Sequence, residues 1–292
     1  MSVDDQGITT DRRQIVLVAS DLDGTLLGPP GARPPRSSHD GGRAEIVARM
    51  GGLTARTHSV LDRMRGEGID LVAVTGRPPR WVVDLGLGPG LAICSNGALV
   101  LDLASGDIVT EHMLDSGRAA EIVARLRSLH PDGMMAIEFA DGVGMEPAWH
   151  ERVPRGAAQS VGRAEELVAQ PSAKILLKVP GTEGDAYIDA ATEAVGDLGE
   201  GTASGVLQLV EVSARGVTKA TTLAALCDER AISSEQVVAF GDARNDLAML
   251  DWAGVGVAMA DAHPSVIDAA DEINGTNSED GVAAWIERHL LP

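Results

Sequence analysis

Ile15-Val16-Leu17-Val18-Ala19-Ser20-Asp21-Leu22-Asp23-Gly24-Thr25 is the stretch that decides the fold. Residues 14–19 form a short apolar run of the kind buried on both faces of a parallel sheet. The run delivers the chain straight into two aspartates, a glycine and a threonine. Side chains two apart on a strand point the same way, so Asp21 and Asp23 converge just beyond the strand. One carboxylate of such a pair can act as a nucleophile while the other serves as general acid and then base. Gly24 allows a sharp turn, and Thr25 offers a hydroxyl and an amide to an anion. A turn with solvated acids would carry the same residues, so the rest of the chain has to choose.

Similar apolar runs recur at 69–74, 91–94, 237–240 and 255–259. Helical stretches lie between them, with Val60, Leu61 and Met64 on one face and Leu223 and Leu226 on another. This alternation predicts an α/β fold, a Rossmann-like parallel sheet wrapped by helices, with ligands beyond the carboxyl ends of the strands. The middle of the chain has another rhythm. A hairpin is expected from 98–103 and 107–111, then a helix at 116–129 and strands at 134–139, 143–146 and 174–179. A helix at 183–195 and strands near Val206 and at 209–212 complete it. Neighbouring strands mixed with helices indicate an inserted α+β cap at 112–208, inside a core made of 1–111 and 209–292. Residues 28–43 hold four prolines and four glycines and read as a flexible surface insertion.

Two more strand ends gather chemistry. Val74-Thr75-Gly76-Arg77 offers a hydroxyl and backbone amides suited to a phosphoryl oxygen, though Thr is also a good helix cap. Gly241-Asp242-Ala243-Arg244-Asn245-Asp246 collects acids that, with a backbone carbonyl and waters, suit Mg²⁺. Lys219 opens a helical stretch, where a positive charge opposes the helix dipole unless an anion is near. Together these residues make the inventory for phosphoryl transfer through an aspartyl-phosphate.

The composition narrows the partners. A net charge of −19 over 292 residues excludes binding along the phosphates of a nucleic acid, and 2% aromatic residues leave few bases' worth of stacking platform. No apolar run reaches the roughly 18 residues of a membrane span. Cys94 and Cys227 form no CxxC pair, and free thiols fit a cytoplasmic protein. The partner expected is a small phosphorylated metabolite; nothing in the sequence addresses oligomeric state.

With these residues in place, the chain resembles the haloacid dehalogenase (HAD) superfamily phosphatases, and more narrowly the Cof-type, subclass IIB sugar-phosphate phosphatases. The resemblance rests on Asp21-Leu22-Asp23-Gly24-Thr25-Leu26-Leu27, Val74-Thr75-Gly76-Arg77, Ser95-Asn96-Gly97-Ala98, Lys219 and Gly241-Asp242-Ala243-Arg244-Asn245-Asp246. Gly256-Val257-Ala258-Met259 and Asn277-Ser278-Glu279-Asp280-Gly281-Val282-Ala283 extend it in order toward the C-terminus. It implies a Mg²⁺-dependent hydrolase in which Asp21 attacks phosphorus. Asp23 would protonate the leaving oxygen and later activate water. Thr75, Gly76 and Lys219 would hold the phosphoryl group, with Lys219 also offsetting the charge of Asp21. The metal would be bound by Asp21, the backbone carbonyl of Asp23, and Asp242. Asn245 and Asp246 would orient the metal's waters, Lys219 or the phosphate. One departure is Ala260-Asp261-Ala262, where such enzymes carry Gly-Asn-Ala; a second is the insertion 28–43. A phosphohexomutase of the same superfamily and a non-catalytic phosphometabolite sensor are the alternative readings, the sensor disfavoured by the intact nucleophile and acid.

Overall fold

A computed structural model describes residues 14–28, 51–151, 158–182, 185–203 and 209–292. Apart from Gly28, the insertion expected at 28–43 lies outside the described residues, as does the strand expected near Val206.

The first apolar run becomes β1 (Leu17–Ser20), with all four residues buried. β2 (Asp70–Val74), β3 (Leu91–Cys94), β4 (Leu99–Asp102) and β5 (Ile108–Glu111) follow in the same sheet. A second sheet holds β6 (Met134–Glu138), β7 (Val143–Met145), β8 (Ser160–Val161), β9 (Lys174–Lys178), β10 (Gly199–Ala203) and β11 (Val210–Ala214). The chain then returns to the first sheet for β12 (Val237–Gly241), β13 (Val255–Ala258) and β14 (Glu272–Ile273).

The order of the first sheet is β14-β13-β12-β1-β2-β3-β4-β5. β1 pairs in parallel with β12 on one side and β2 on the other, so Ser20 lies level with Phe240 and Ala73. The strand order reverses at β1, and a crevice forms beyond the carboxyl ends of strands at such a switch point. Asp21, Thr75 and Asp242 all follow strands that end there. β4–β5 is the expected antiparallel hairpin, and β4 also pairs antiparallel with β3. Helix α1 (Ala55–Gly66) is capped by Thr54, whose hydroxyl accepts from the Thr57 N–H, and it buries Val60, Leu61 and Met64.

Helix α2 (Ser116–Leu129) begins at the Asp115 cap and buries Ala119, Ile122, Val123 and Leu126. With α3 (Asp185–Val195) it covers one face of the second sheet, meeting Met135, Ile137, Ile175, Leu177, Val210 and Val212. Burying each large aliphatic side chain there contributes about 1.5–3 kcal/mol, so Ile122→Ala would cost about 2–5 kcal/mol. The alternate residues of the same strands point the other way. Among them Glu138, Lys174 and Glu211 are buried although charged.

One boundary moves. The sequence reading returns the chain to the core at 209, but β11 pairs between β10 and β9 in the second sheet. The return therefore comes after Ala214. A five-residue strand carries no mark of the sheet it will join, and β10, Gly-Glu-Gly-Thr-Ala, has no apolar run at all.

Candidate active site

Main-chain hydrogen bonds fix the position of Asp21. The Asp21 N–H donates to the Phe240 carbonyl at 3.0 Å, while the Asp21 carbonyl accepts from the Leu26 N–H at 3.2 Å. The turn between them needs φ = +82° at Gly24. A Cβ added there would stand 2.4 Å from Asp242 Oδ2, so glycine is required by both conformation and space. Leu22 goes into the core, leaving Asp21 and Asp23 at the crevice.

Helix α4 (Lys219–Glu229) starts at Thr218, whose side chain and that of Thr221 form a reciprocal cap. The cap holds the first turn so that Lys219 points inward, where it is 2% exposed. Its Nζ donates to Asp21 Oδ1 and to Asp246 Oδ1, each at 2.6 Å. The other oxygen of Asp246 accepts from the Asp242 and Ala243 N–H groups at 3.1 and 3.0 Å. Asp246 thus aims the lysine at Asp21. The acids after β12 cap the loop as well as furnish the site.

Carboxylate oxygens of Asp21, Asp242 and Asp246 lie within 4.8 Å of one another. Burial pushes the Asp21 carboxyl well above the usual carboxylate range; Lys219 opposes the rise, and Asp246, Asp242 and Asp23 add to it. Burial and then Asp246 push Asp242 up to about 6. For Lys219, burial alone would act downward, but Asp21 and Asp246 outweigh it and hold the ammonium well above the ordinary lysine value. Three acids against one ammonium leave the cluster two charges negative when ionised. A hard divalent cation on oxygen donors answers that imbalance, and Mg²⁺ suits the donor set.

The Asp23 carboxylate faces elsewhere. Arg77 donates to it through Nε at 2.7 Å and Nη2 at 2.5 Å. This leaves the Asp23 main-chain carbonyl, rather than its side chain, as the group the residue could offer a metal. Thr25 is also redirected: its hydroxyl donates to Asp242 Oδ1 at 2.8 Å, orienting a carboxylate rather than meeting an external anion. Thr75 is buried after β2, and its Oγ1 accepts from the Arg77 N–H at 3.1 Å, so its hydroxyl hydrogen remains available to a phosphoryl oxygen. Asn245 Nδ2 donates to Asn96 Oδ1 at 3.2 Å, and Asn245 Oδ1 is buried with no partner. The structure thus places Asn245 beside Asn96.

Several contributing residues were outside the sequence-derived roles. Ser95, Asn96 and Gly97 all have positive φ, at 51°, 57° and 111°. This run turns the chain so that Asn96 meets Asn245 on one side and Glu211 of the second sheet on the other. Glu211 also takes Lys174 Nζ at 3.0 Å, and the same Nζ reaches the Gly76 carbonyl at 2.6 Å. Arg80 pairs with Glu138 across the same gap. The inserted domain thus touches the phosphoryl-loop candidates directly. Asn277 donates to the carbonyls of Thr25 and Leu27 at 2.8 and 2.7 Å, pinning the turn that follows Asp21. The unusual Asp261 accepts from the Asn277 N–H at 3.3 Å, so it braces that anchor. Asn96 and Asn277 were visible within quoted motifs, but only their three-dimensional partners assign them work. In the second sheet, Met135 packs in the hydrophobic core shared with α2 and α3, and Trp149 packs beside Ala136, Val143, Met145 and Leu176.

Comparison with known proteins identifies the family. Residues 18–286 match the family model of the haloacid dehalogenase-like hydrolases. The pyridoxal phosphate phosphatase YbhA of Escherichia coli (strain K12) is 26% identical over 288 residues, covering 94% of this chain and 98% of that protein. The 5-amino-6-(5-phospho-D-ribitylamino)uracil phosphatase YcsE of Bacillus subtilis (strain 168) is 45% identical, but over 82 residues, 28% of this chain and 33% of that protein. A sugar phosphatase of HAD subclass IIB superposes with a TM-score of 0.72 at 17% identity, over 93% of this chain and 98% of its own, and shows the shared fold. With the family model spanning both parts of the core and the cap between them, the chain belongs to the haloacid dehalogenase-like hydrolases and is an enzyme of the phosphatase kind.

Proposed function

We propose that this protein is a Mg²⁺-dependent phosphomonoesterase that hydrolyses small phosphorylated metabolites, sugar phosphates among them, through an aspartyl-phosphate on Asp21. The observation that carries the reading is the buried Lys219, shared at 2.6 Å between Asp21 and Asp246. It screens a buried carboxylate as a phosphate dianion approaches, and it fixes one oxygen of Asp21 while the other is left to attack. Mg²⁺ would be held by the carboxylates of Asp21 and Asp242 and the carbonyl of Asp23, and would neutralise charge on the phosphoryl oxygens. The Asp21 oxygen forms the new bond to phosphorus as the ester P–O bond breaks, and the leaving oxygen takes a proton from Asp23. Asp23 then takes a proton from a water whose oxygen attacks phosphorus; the bond to Asp21 breaks and phosphate is released. Thr75 and the amides around Gly76 hold the phosphoryl oxygens. The relatives named for pyridoxal phosphate and for a phosphoribitylaminouracil support a small monoester as substrate. The inserted domain would set the leaving-group preference.

The test is phosphate release from p-nitrophenyl phosphate and a panel of sugar phosphates, with Mg²⁺ and with chelator, by wild type and Asp21→Asn. Turnover that needs Mg²⁺ and falls by at least about 10³ in the variant is expected. An unchanged rate in Asp21→Asn, or full activity in chelator, would refute the mechanism.

A further inference from the structure

We infer that Arg77 is the positioning residue for Asp23, holding the acid–base carboxylate by a two-point grip while Lys219 serves the nucleophile. The inference rests on the phosphoryl-transfer reading above and assigns a role to a side chain that the reading leaves idle. Each acid of Asp21-Leu22-Asp23 has its own cation. The compact ammonium of Lys219 reaches Asp21, and the planar guanidinium of Arg77 spans both oxygens of Asp23 at 2.7 and 2.5 Å. A fork of this kind fixes the carboxylate plane as well as its distance, which a single lysine contact cannot do.

Asp23 needs such a grip. It lies on the turn beyond β1 with a side chain 29% exposed, less enclosed than that of Asp21 at 7%. Arg77 is the reverse, with a side chain only 2% exposed. Its backbone is fastened at both ends: its N–H donates to Thr75 Oγ1 at 3.1 Å, and its carbonyl accepts from the Ser95 N–H at 2.9 Å. The positive φ at Ser95 and Asn96 bends the chain back to make the second bond. The phosphoryl-loop candidate Thr75 and the Asp23 carboxylate are therefore referenced to one rigid residue. A proton donor must meet the leaving oxygen, and a base must meet the attacking water, with sub-ångström placement relative to phosphorus.

Two roles for Arg77 separate experimentally. If Arg77 positions Asp23, its removal matters only where Asp23 moves a proton. If it binds substrate phosphate, its removal raises KM for every ester and adds to the loss in Asp23→Asn. We would compare wild type, Arg77→Met, Arg77→Lys, Asp23→Asn and Arg77→Met/Asp23→Asn on p-nitrophenyl phosphate and on an alkyl phosphate. Steady-state and first-turnover rates would both be measured in Mg²⁺.

For Arg77→Met, first-turnover cleavage of the alkyl ester should fall by about tenfold to a hundredfold, the usual scale for a misplaced reacting group. First-turnover release of p-nitrophenolate, which needs no proton, should fall by a few-fold at most and thereby also reports that the variant is folded. The double variant should be no slower than Asp23→Asn, and Arg77→Lys should recover only part of the loss. Additive losses, a KM increase common to both esters, or full recovery by lysine would overturn the inference. Metal-dependent turnover by wild type together with such results would leave the phosphatase reading standing. No turnover of any ester by wild type would overturn both.

Discussion

Lys219→Met probes the electrostatic balance of the site without reference to turnover. The substitution keeps the length of the side chain and removes the one ammonium bonded to both Asp21 and Asp246. Asp21 is 5% exposed and Asp246 0%, so neither carboxylate can recover the lost interaction from water. Removing one partner from a buried ion pair costs about 3–5 kcal/mol, and that is the expected loss at pH 8.5. Protonation can limit it. Lys219 is the group that lowers the already raised Asp21 carboxyl, so its loss drives Asp21 further above the carboxylate range. Asp246 keeps its two backbone donors, so the proton is expected on Asp21.

The sign follows from proton linkage. A carboxyl raised in the folded state binds more protons there than in the unfolded chain. Its cost is absent below the unfolded value, grows as pH rises, and is complete above the folded value. The gap between wild type and variant should therefore be widest at pH 8.5 and narrow toward pH 5.5. Each unit over which Asp21 takes up its proton in the variant alone is worth about 1.4 kcal/mol. Urea unfolding in chelator at both pH values measures the gap directly. A loss below about 1 kcal/mol at pH 8.5, or one that stays constant or widens toward pH 5.5, would refute the argument.

Other consequences follow from the same geometry. Gly24→Ala forces a Cβ to within 2.4 Å of Asp242 Oδ2 at φ = +82°, with strain of about 1–3 kcal/mol. It should raise the Mg²⁺ needed for half-maximal hydrolysis of p-nitrophenyl phosphate by about tenfold for each 1.4 kcal/mol passed to the metal site, and an unchanged magnesium titration would count against a metal at Asp242. In chelator, the contribution of Asp242, raised to about 6 in the fold from an ordinary 3.8, should make stability fall as pH rises from about 4 through about 6. Mg²⁺ binds the ionised carboxylate, so its gain in Tm should be larger at pH 7.5 than at pH 5; equal gains would contradict the assignment. Arg80→Met strips the partner from Glu138, whose carboxyl burial already raises against the pull of Arg80. A loss of about 3–5 kcal/mol in urea unfolding is expected, largely recovered in Arg80→Met/Glu138→Met; no recovery would show that the arginine acts through other contacts.

How far the chain is readable depends on the range of the interaction being read. The apolar runs that became β1, β2, β3, β12 and β13 are local, and burial on both faces leaves a local signature of consecutive Val, Leu, Ile and Ala. Residues 116–129 likewise announce their helix, because the cap at Asp115 and the stripe of Ala119, Ile122, Val123 and Leu126 are set by 3.6-residue spacing. β10 was not readable: two glycines and no apolar run mark no strand, and its identity comes from pairing with β11. The same nonlocal pairing placed β11 in the second sheet.

The site divides in the same way. Sequence alone determined that acids, a hydroxyl and glycines stand at three strand ends, since each group is fixed within a few residues of a recognisable strand. Residue types and spacing could not determine who faces whom; the contacts of Lys219 with Asp21 and Asp246 were implied only by the family resemblance. Lys219 meets Asp21 across 198 positions and Arg77 meets Asp23 across 54. Asn277 secures the carbonyl of Thr25 across 252. The cap's Lys174 and Glu211 reach Gly76 and Asn96 only because two separate sheets come together. Residue type and spacing carry the chemistry available at each strand end. Which cation serves which carboxylate is decided by the parallel order of β12, β1 and β2, because long-range pairing in a buried, low-dielectric crevice leaves no periodic trace along the chain.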